Sequence, residues 1–303
     1  MSPRNIDLDA LRTEQRNPGS AQLDVMSALE IAQLINREDQ TIAEAVEHAI
    51  PNIGRAIDAA AESLTRGGRL IYVGAGTSGR IAALDASECP PTFNTDPKAV
   101  QYVIAGGEKA LGRAAEYNED SRRDGERDLA KRKPGKRDVV VGIAASGRTP
   151  YTVAALELAR KRGATTVAVV CSPNSPLEQA AHIPIVAEVG PEVVTGSTRM
   201  KAGTAQKMVL NMISTGAMAR LGYVYGNLMV NVHTNNEKLV ERGLRVLIEA
   251  GKLGRNEAEQ FLKDAKGSVA LALVMSRTGL SRSQAEKRLR QAGGHVRLAI
   301  QSR

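Results

Sequence analysis

Five short β-branched runs, each separated from the next by a stretch long enough for a helix, constrain this chain more than any other feature. They read RLIYVG (69–74), AVQYVIAG (99–106), DVVVGIAA (138–145), TTVAVVC (165–171) and IPIVAEV (183–189). Most of these runs are nearly continuously apolar rather than alternating, which marks strands covered by helices on both faces. Their alternation with helical segments predicts an α/β fold built on a five-stranded parallel sheet flanked by helices. In such sheets, ligands bind at the loops beyond the carboxyl ends of the strands.

The rest of the chain carries helical periodicity. Ahead of the sheet, residues 27–36 and 42–66 repeat apolar side chains at helical spacing, and Pro51 predicts a break into two helices. After the sheet, helices are predicted over 200–221 and 235–250, then over 256–264, 268–278 and 281–291, punctuated by Gly267, Gly279 and the Gly293-Gly294 pair. This divides the chain into a helical lead-in (1–50), an α/β domain (51–225) and a helical C-terminal region (226–303) that ends in a three-helix subdomain from residue 252.

Composition narrows the function classes. The 303 residues are 42% hydrophobic and 24% charged, as expected of a folded globular chain. The absence of a long apolar run argues against a membrane span or a secretory signal, and the expected location is the cytoplasm. Two cysteines and four scattered histidines provide neither a disulfide framework nor metal-ligand spacing, so no metal is expected. The net charge of +8 is concentrated in the tail, where residues 252–303 hold 11 Lys and Arg against 4 Asp and Glu. With aromatics at 3% and no Trp, that tail reads as a solvated basic helical surface rather than a nucleic-acid platform.

Two loops carry the chemistry. Gly74-Ala75-Gly76-Thr77-Ser78-Gly79 follows the first strand and opens a helix, which satisfies G-x-G-x-x-G. A dinucleotide site also needs an acidic residue at the end of the second strand; Asp96 precedes that strand and Glu108 follows it too late. The second loop, Ala144-Ala145-Ser146-Gly147-Arg148-Thr149-Pro150, follows the third strand. Two such loops can converge on one phosphoryl group, with the Thr77, Ser78, Ser146 and Thr149 hydroxyls joining N–H groups at helix starts. Either loop alone is also consistent with ordinary caps and turns.

The flanking residues take this pairing further. TEQRNPGSAQLDVMSALEIAQLINREDQ (13–40), GAGTSGRIAALDASECPPTF (74–93), IAGGEKAL (104–111), EDSRRDG (119–125), VGIAASGRTPY (141–151), EVVTGSTRMKAGTAQKMVLNMIST (192–215) and GNLMVNV (226–232) occur in order. Together they resemble the N-acetylmuramic acid 6-phosphate etherase family, a branch of the sugar isomerase superfamily. The resemblance implies a cofactor-independent carbon–oxygen lyase and a homodimer, with a phosphorylated amino sugar as substrate. It also implies a place in amino-sugar catabolism and cell-wall recycling. The implied substrate contacts are Gly76, Thr77, Ser78, Ser146, Gly147, Arg148 and Thr149.

Carried over residue by residue, the resemblance puts the proton donor on Glu88, in Asp85-Ala86-Ser87-Glu88-Cys89-Pro90-Pro91, near the end of the first crossover helix. It puts the base on Glu119, in Glu119-Asp120-Ser121, within the helical segment after the second strand. By residue type alone, either could be a solvated surface glutamate. Ser197, Arg199 and Lys201, at a helix start, are further candidates for the lactyl carboxylate or the phosphate, against a reading as caps and surface charge. His233 is a candidate for ring opening, against a reading as an exposed or capping histidine, and Cys89 reads as a packed or solvent-facing thiol rather than a nucleophile. Rival readings are a phosphosugar isomerase, a phosphosugar-sensing regulator with a basic tail, and a dinucleotide enzyme.

Overall fold

The structure is a computed structural model that describes residues 12–113, 118–232 and 237–302. The lead-in forms α1 (Ala28–Gln40), α2 (Ile42–Glu47) and α3 (Ile50–Thr65). A capping box starts α1: the Glu30 N–H donates to Ser27 Oγ, and the Ser27 N–H donates to Glu30 Oε2. Pro51 sits in the first turn of α3, where its missing N–H leaves no helical bond unmade.

The sheet consists of β1 (Leu70–Gly74), β2 (Val100–Ile104), β3 (Val139–Ile143), β4 (Thr165–Val170) and β5 (Ile183–Val186). All four pairings are parallel, in the order β2-β1-β3-β4-β5. Every residue of β1 and β3 is buried, as the apolar runs predict. The crossovers carry α4 (Gly76–Phe93), α5 (Arg122–Lys131), α6 (Pro150–Lys161) and α7 (Pro176–Ala180). Pro90 and Pro91 fall in the last turn of α4, and Asn94, at φ 53°, leads the chain out of the helix.

Arg69 and Asp138 fasten the entry ends of β1 and β3 together. Arg69 Nε and Nη2 donate to the two Asp138 oxygens at 3.0 and 2.7 Å, and the Gly135 N–H adds a bond of 2.9 Å. Both strands are thus held in register from below, while their other ends are left to carry the loops.

Beyond the sheet come α8 (Lys201–Arg220), a two-residue-per-strand hairpin of β6 (Val224–Tyr225) and β7 (Leu228–Met229), and α9 (Glu237–Gly251). The tail forms α10 (Arg255–Asp264), α11 (Val269–Thr278), α12 (Arg282–Gln291) and α13 (Val296–Gln301). The chain divides into two compact units, one of Met1–Ala86 with Lys98–Ser214 and the other of Ser87–Pro97 with Thr215–Arg303. Ile71, Val73, Val140, Leu156, Val170 and Leu177 center the core of the first, and Leu244, Leu247, Leu262, Leu271, Val274 and Val296 that of the second. Among the described residues, no helix is long and apolar enough to cross a membrane.

Candidate active site

Gly74 and Ile143 are register partners at the exit ends of β1 and β3, so the loops that follow leave the sheet side by side. From β1 the chain crosses to β2 on one side, and from β3 it crosses to β4 on the other. This reversal is the topological switch point at which open parallel sheets form a crevice. A cleft of about 280 Å³ opens there, lined by Gly76, Thr77 and Ser78 from the first loop and by Ser146 and Thr149 from the second.

Each loop has its own reason for its shape. Gly76 opens α4 at φ 51°, in the left-handed region that favours glycine. The first N–H groups of α4 have no acceptor within the helix and form a ready anion seat. Thr149 is the N-cap of α6, yet its side chain makes no cap hydrogen bond, so its hydroxyl has no cap duty in the cleft. Ser146 Oγ accepts the Arg148 N–H at 3.3 Å, which tightens the second loop. Gly147 is buried at φ 64°, and a side chain there would overlap Ser175.

Glu119 joins the two loops. Its carbonyl accepts the N–H of Tyr151, in the first turn of α6, at 3.0 Å. Its carboxylate lies over the other loop, since a Cβ built on Gly76 would be 2.9 Å from Glu119 Oε1. The residue is in the turn just ahead of α5 rather than in a helix; the helix begins after Ser121, whose Oγ accepts the Asp124 N–H at 3.2 Å. A carboxylate held this way, beside hydroxyls and an anion seat, can take a proton from a substrate carbon next to a bound phosphosugar's carbonyl.

The cleft also contains residues to which the sequence reading gave no role: Thr13, Glu14, Arg80 and Thr198. Arg80 donates from Nε to the Ala110 carbonyl and from Nη2 to the Arg113 carbonyl, both at 3.0 Å, so its guanidinium clamps the segment after β2 beside the cleft. Gln206 on α8 accepts the Ser78 hydroxyl at 2.9 Å and orients it from below. Thr13 and Glu14 lie about sixty residues upstream of the first loop, and no local pattern marks them as its neighbors.

Several sequence candidates lie elsewhere. Arg148, Ser197 and Arg199 do not line the cleft; Arg148 and Arg199 are exposed, and Thr198 takes the lining position between Ser197 and Arg199. Lys201 is a correction. It is buried, and its ammonium donates to Glu38 Oε2 at 2.6 Å, which makes it part of the frame rather than a ligand for substrate. Burial pushes the Glu38 carboxyl up, but hydrogen bonds from Lys201 and Asn17 outweigh it and hold the group below its ordinary value.

The start of α8 is likewise closed to an anion, because Glu192 accepts the Lys201 and Ala202 N–H groups at 2.9 and 3.0 Å. Burial raises the Glu192 carboxyl despite those two bonds. Glu88 is exposed on the C-terminal half of α4 and is not among the cleft-lining residues. His233 lies outside the described residues, and Cys89 is buried, which leaves the packed of its two expected settings.

The chain is similar to several known proteins. The family model for the glucokinase regulatory protein N-terminal SIS domain matches residues 52–160, and that for the SIS (sugar isomerase) domain matches residues 123–215. The N-acetylmuramic acid 6-phosphate etherase of Edwardsiella ictaluri is 53% identical over 277 residues, 91% of this chain and 92% of that one. The protein of the same name from Salmonella typhi is 52% identical over 275 residues, 91% and 93% of the two chains. Among solved structures, a phosphoheptose isomerase from Francisella tularensis superposes with a TM-score of 0.49 at 18% identity, covering 64% of this chain and 100% of that one. Identity of this size to the two etherases, over nearly the whole of both chains, shows that this chain belongs to the N-acetylmuramic acid 6-phosphate etherase family.

Proposed function

We propose that the protein cleaves the D-lactyl ether of N-acetylmuramic acid 6-phosphate, yielding N-acetylglucosamine 6-phosphate and D-lactate, with Glu119 as the base and Glu88 as the proton donor. The observation that carries the reading is the Glu119 carboxylate, held over Gly76 between two hydroxyl-rich loops. Family membership at 53% identity supports the substrate class.

The chemistry follows from the open-chain sugar. Its C1 aldehyde acidifies the C2 proton, and the C3 ether oxygen is β to that carbonyl. Glu119 takes the C2 proton, the enolate re-forms the carbonyl, and the C3–O bond breaks as the ether oxygen is protonated and leaves as lactate. Water then adds across the C2–C3 double bond, its hydroxide to C3 and a proton to C2. The phosphate rests on the N–H groups of the α4 start, Ser78 among them, and on the Thr77, Ser146 and Thr149 hydroxyls, which fixes C2 relative to the base. The acid role of Glu88 rests on its motif and is tested separately.

The reading extends to a homodimer working in a bacterial cytoplasm in the reuse of cell-wall amino sugars. Two variants test the catalytic assignment. Glu119→Gln is expected to stop deuterium uptake at C2 in D₂O and to lower lactate release by about 10²–10⁴-fold. Glu88→Gln is expected to retain C2 exchange and lose lactate release. Wild-type exchange in Glu119→Gln removes that residue from the mechanism, and C1–C2 proton transfer without lactate marks an isomerase.

A further inference from the structure

The N-terminal segment around residues 12–20 forms part of the cleft wall, and its own hydrogen bonding leaves two polar groups unused. Thr13 lines the cleft and is 2% exposed, and its hydroxyl has no hydrogen-bond partner among the described residues. A buried hydroxyl without a partner is destabilising, so its presence points to an absent partner. Glu14 lines the same cleft, and its carboxylate has no hydrogen bond or ion pair with a described residue. It packs against the loop before α8, where a Cβ on Gly196, at φ 75°, would lie 2.9 Å from Glu14 Oε2.

The segment is held from behind. Arg12 reaches Glu188 at 3.4 Å, and the buried Asn17 accepts the Gly19 N–H at 2.8 Å. Asn17 also bonds to Glu38, which is paired in turn with buried Lys201. Thr13 and Glu14 are therefore presented by a buttressed turn.

We infer that Thr13 and Glu14 form the sugar-reading edge of the cleft, with the Glu14 carboxylate accepting hydrogen bonds from hydroxyls of the phosphosugar and the Thr13 hydroxyl completing the set. A carboxylate repels a phosphate dianion and accepts from neutral O–H donors, so Glu14 acts on the sugar and not on its phosphate. The inference rests on the phosphosugar reading above and adds the residues that recognise the sugar.

Calorimetry on the full-length protein with two probes, N-acetylglucosamine 6-phosphate and inorganic phosphate, tests it. Glu14→Ala is expected to weaken the sugar phosphate about tenfold and to leave inorganic phosphate within twofold. Glu14→Gln keeps one acceptor oxygen and is expected to lose less. Thr13→Val removes a buried, unpaired hydroxyl, so its melting temperature is expected to hold or rise while sugar-phosphate binding weakens severalfold. Equal loss of both probes, or loss of neither, in the folded variants overturns the inference. If the wild type binds neither probe, the phosphosugar reading fails and takes the inference with it. If the wild type binds both but releases no lactate, the etherase reading alone fails.

Discussion

Asp85, one helical turn before Glu88, is 4% exposed, and among the described residues it accepts hydrogen bonds from Tyr72 Oη at 2.8 Å, Asn211 Nδ2 at 2.6 Å and Ser214 Oγ at 3.0 Å. These bonds tie α4 to β1 on one side and to α8 on the other. Asp85→Ala takes the acceptor from all three donors at once. At about 1–3 kcal/mol for each buried group left unsatisfied, and with some relaxation shared among them, the expected loss is about 4 kcal/mol. Asp85→Asn behaves differently. Its carbonyl still accepts from Asn211 and Ser214, and its amide faces the Tyr72 hydroxyl, which can turn and accept. Only charge assistance is lost, about 1–2 kcal/mol. Adding Tyr72→Phe to Asp85→Asn strands the amide and removes about 1 kcal/mol more. Amide hydrogen exchange of β1 and the middle of α8 reads these differences locally, and 1.4 kcal/mol corresponds to tenfold in rate. Asp85→Ala should therefore speed exchange about 10³-fold and Asp85→Asn about tenfold. Equal acceleration in the two variants would refute the network account and leave Asp85 a space-filling residue.

Two further predictions follow from the loops and the strand staple. Gly76→Ala puts a methyl group 2.9 Å from Glu119 Oε1 at a φ of 51°, so the carboxylate must move. Turnover is expected to fall at least 10²-fold for a stability loss of about 1–2 kcal/mol, and a variant with wild-type kcat contradicts the placement of Glu119. Burial pushes the Asp138 carboxyl up, but the bonds from Arg69 and the Gly135 N–H outweigh it and hold it below its ordinary value. A depressed carboxyl stabilises the fold above the ordinary Asp value of about 3.9, and the gain is lost as the pH falls through the folded value. Asp138→Asn should thus cost about 2 kcal/mol in urea unfolding at pH 7, and the gap from wild type should narrow in acid; a gap that widens there is the opposite sign.

What was readable in the sequence and what was not divide along physical lines. The β1 and β3 runs, apolar at every position, are visible because burial on both faces leaves no room for polar alternation. Pro51 signals the α2–α3 break because proline can open a helix but not continue one. The β6–β7 hairpin, with two residues in each strand, is too short to carry a period. Lys201 beside Arg199 looks like a substrate cation; its partner Glu38 is 163 positions away, and only tertiary packing brings them together. Thr13 and Glu14 open the 13–40 motif, but no spacing rule ties an N-terminal turn to a loop after β1. Glu119 is marked by its motif, and its turn rather than helical setting is set by the Ser121 cap that follows it.

The most direct test of the central claim is to incubate the purified protein with N-acetylmuramic acid 6-phosphate in ¹⁸O-labelled water and to follow both products. The account predicts D-lactate without label and N-acetylglucosamine 6-phosphate with ¹⁸O at C3, as elimination followed by hydration requires. Label in the lactate hydroxyl would contradict that chemistry, and no lactate from folded protein would contradict the etherase reading itself.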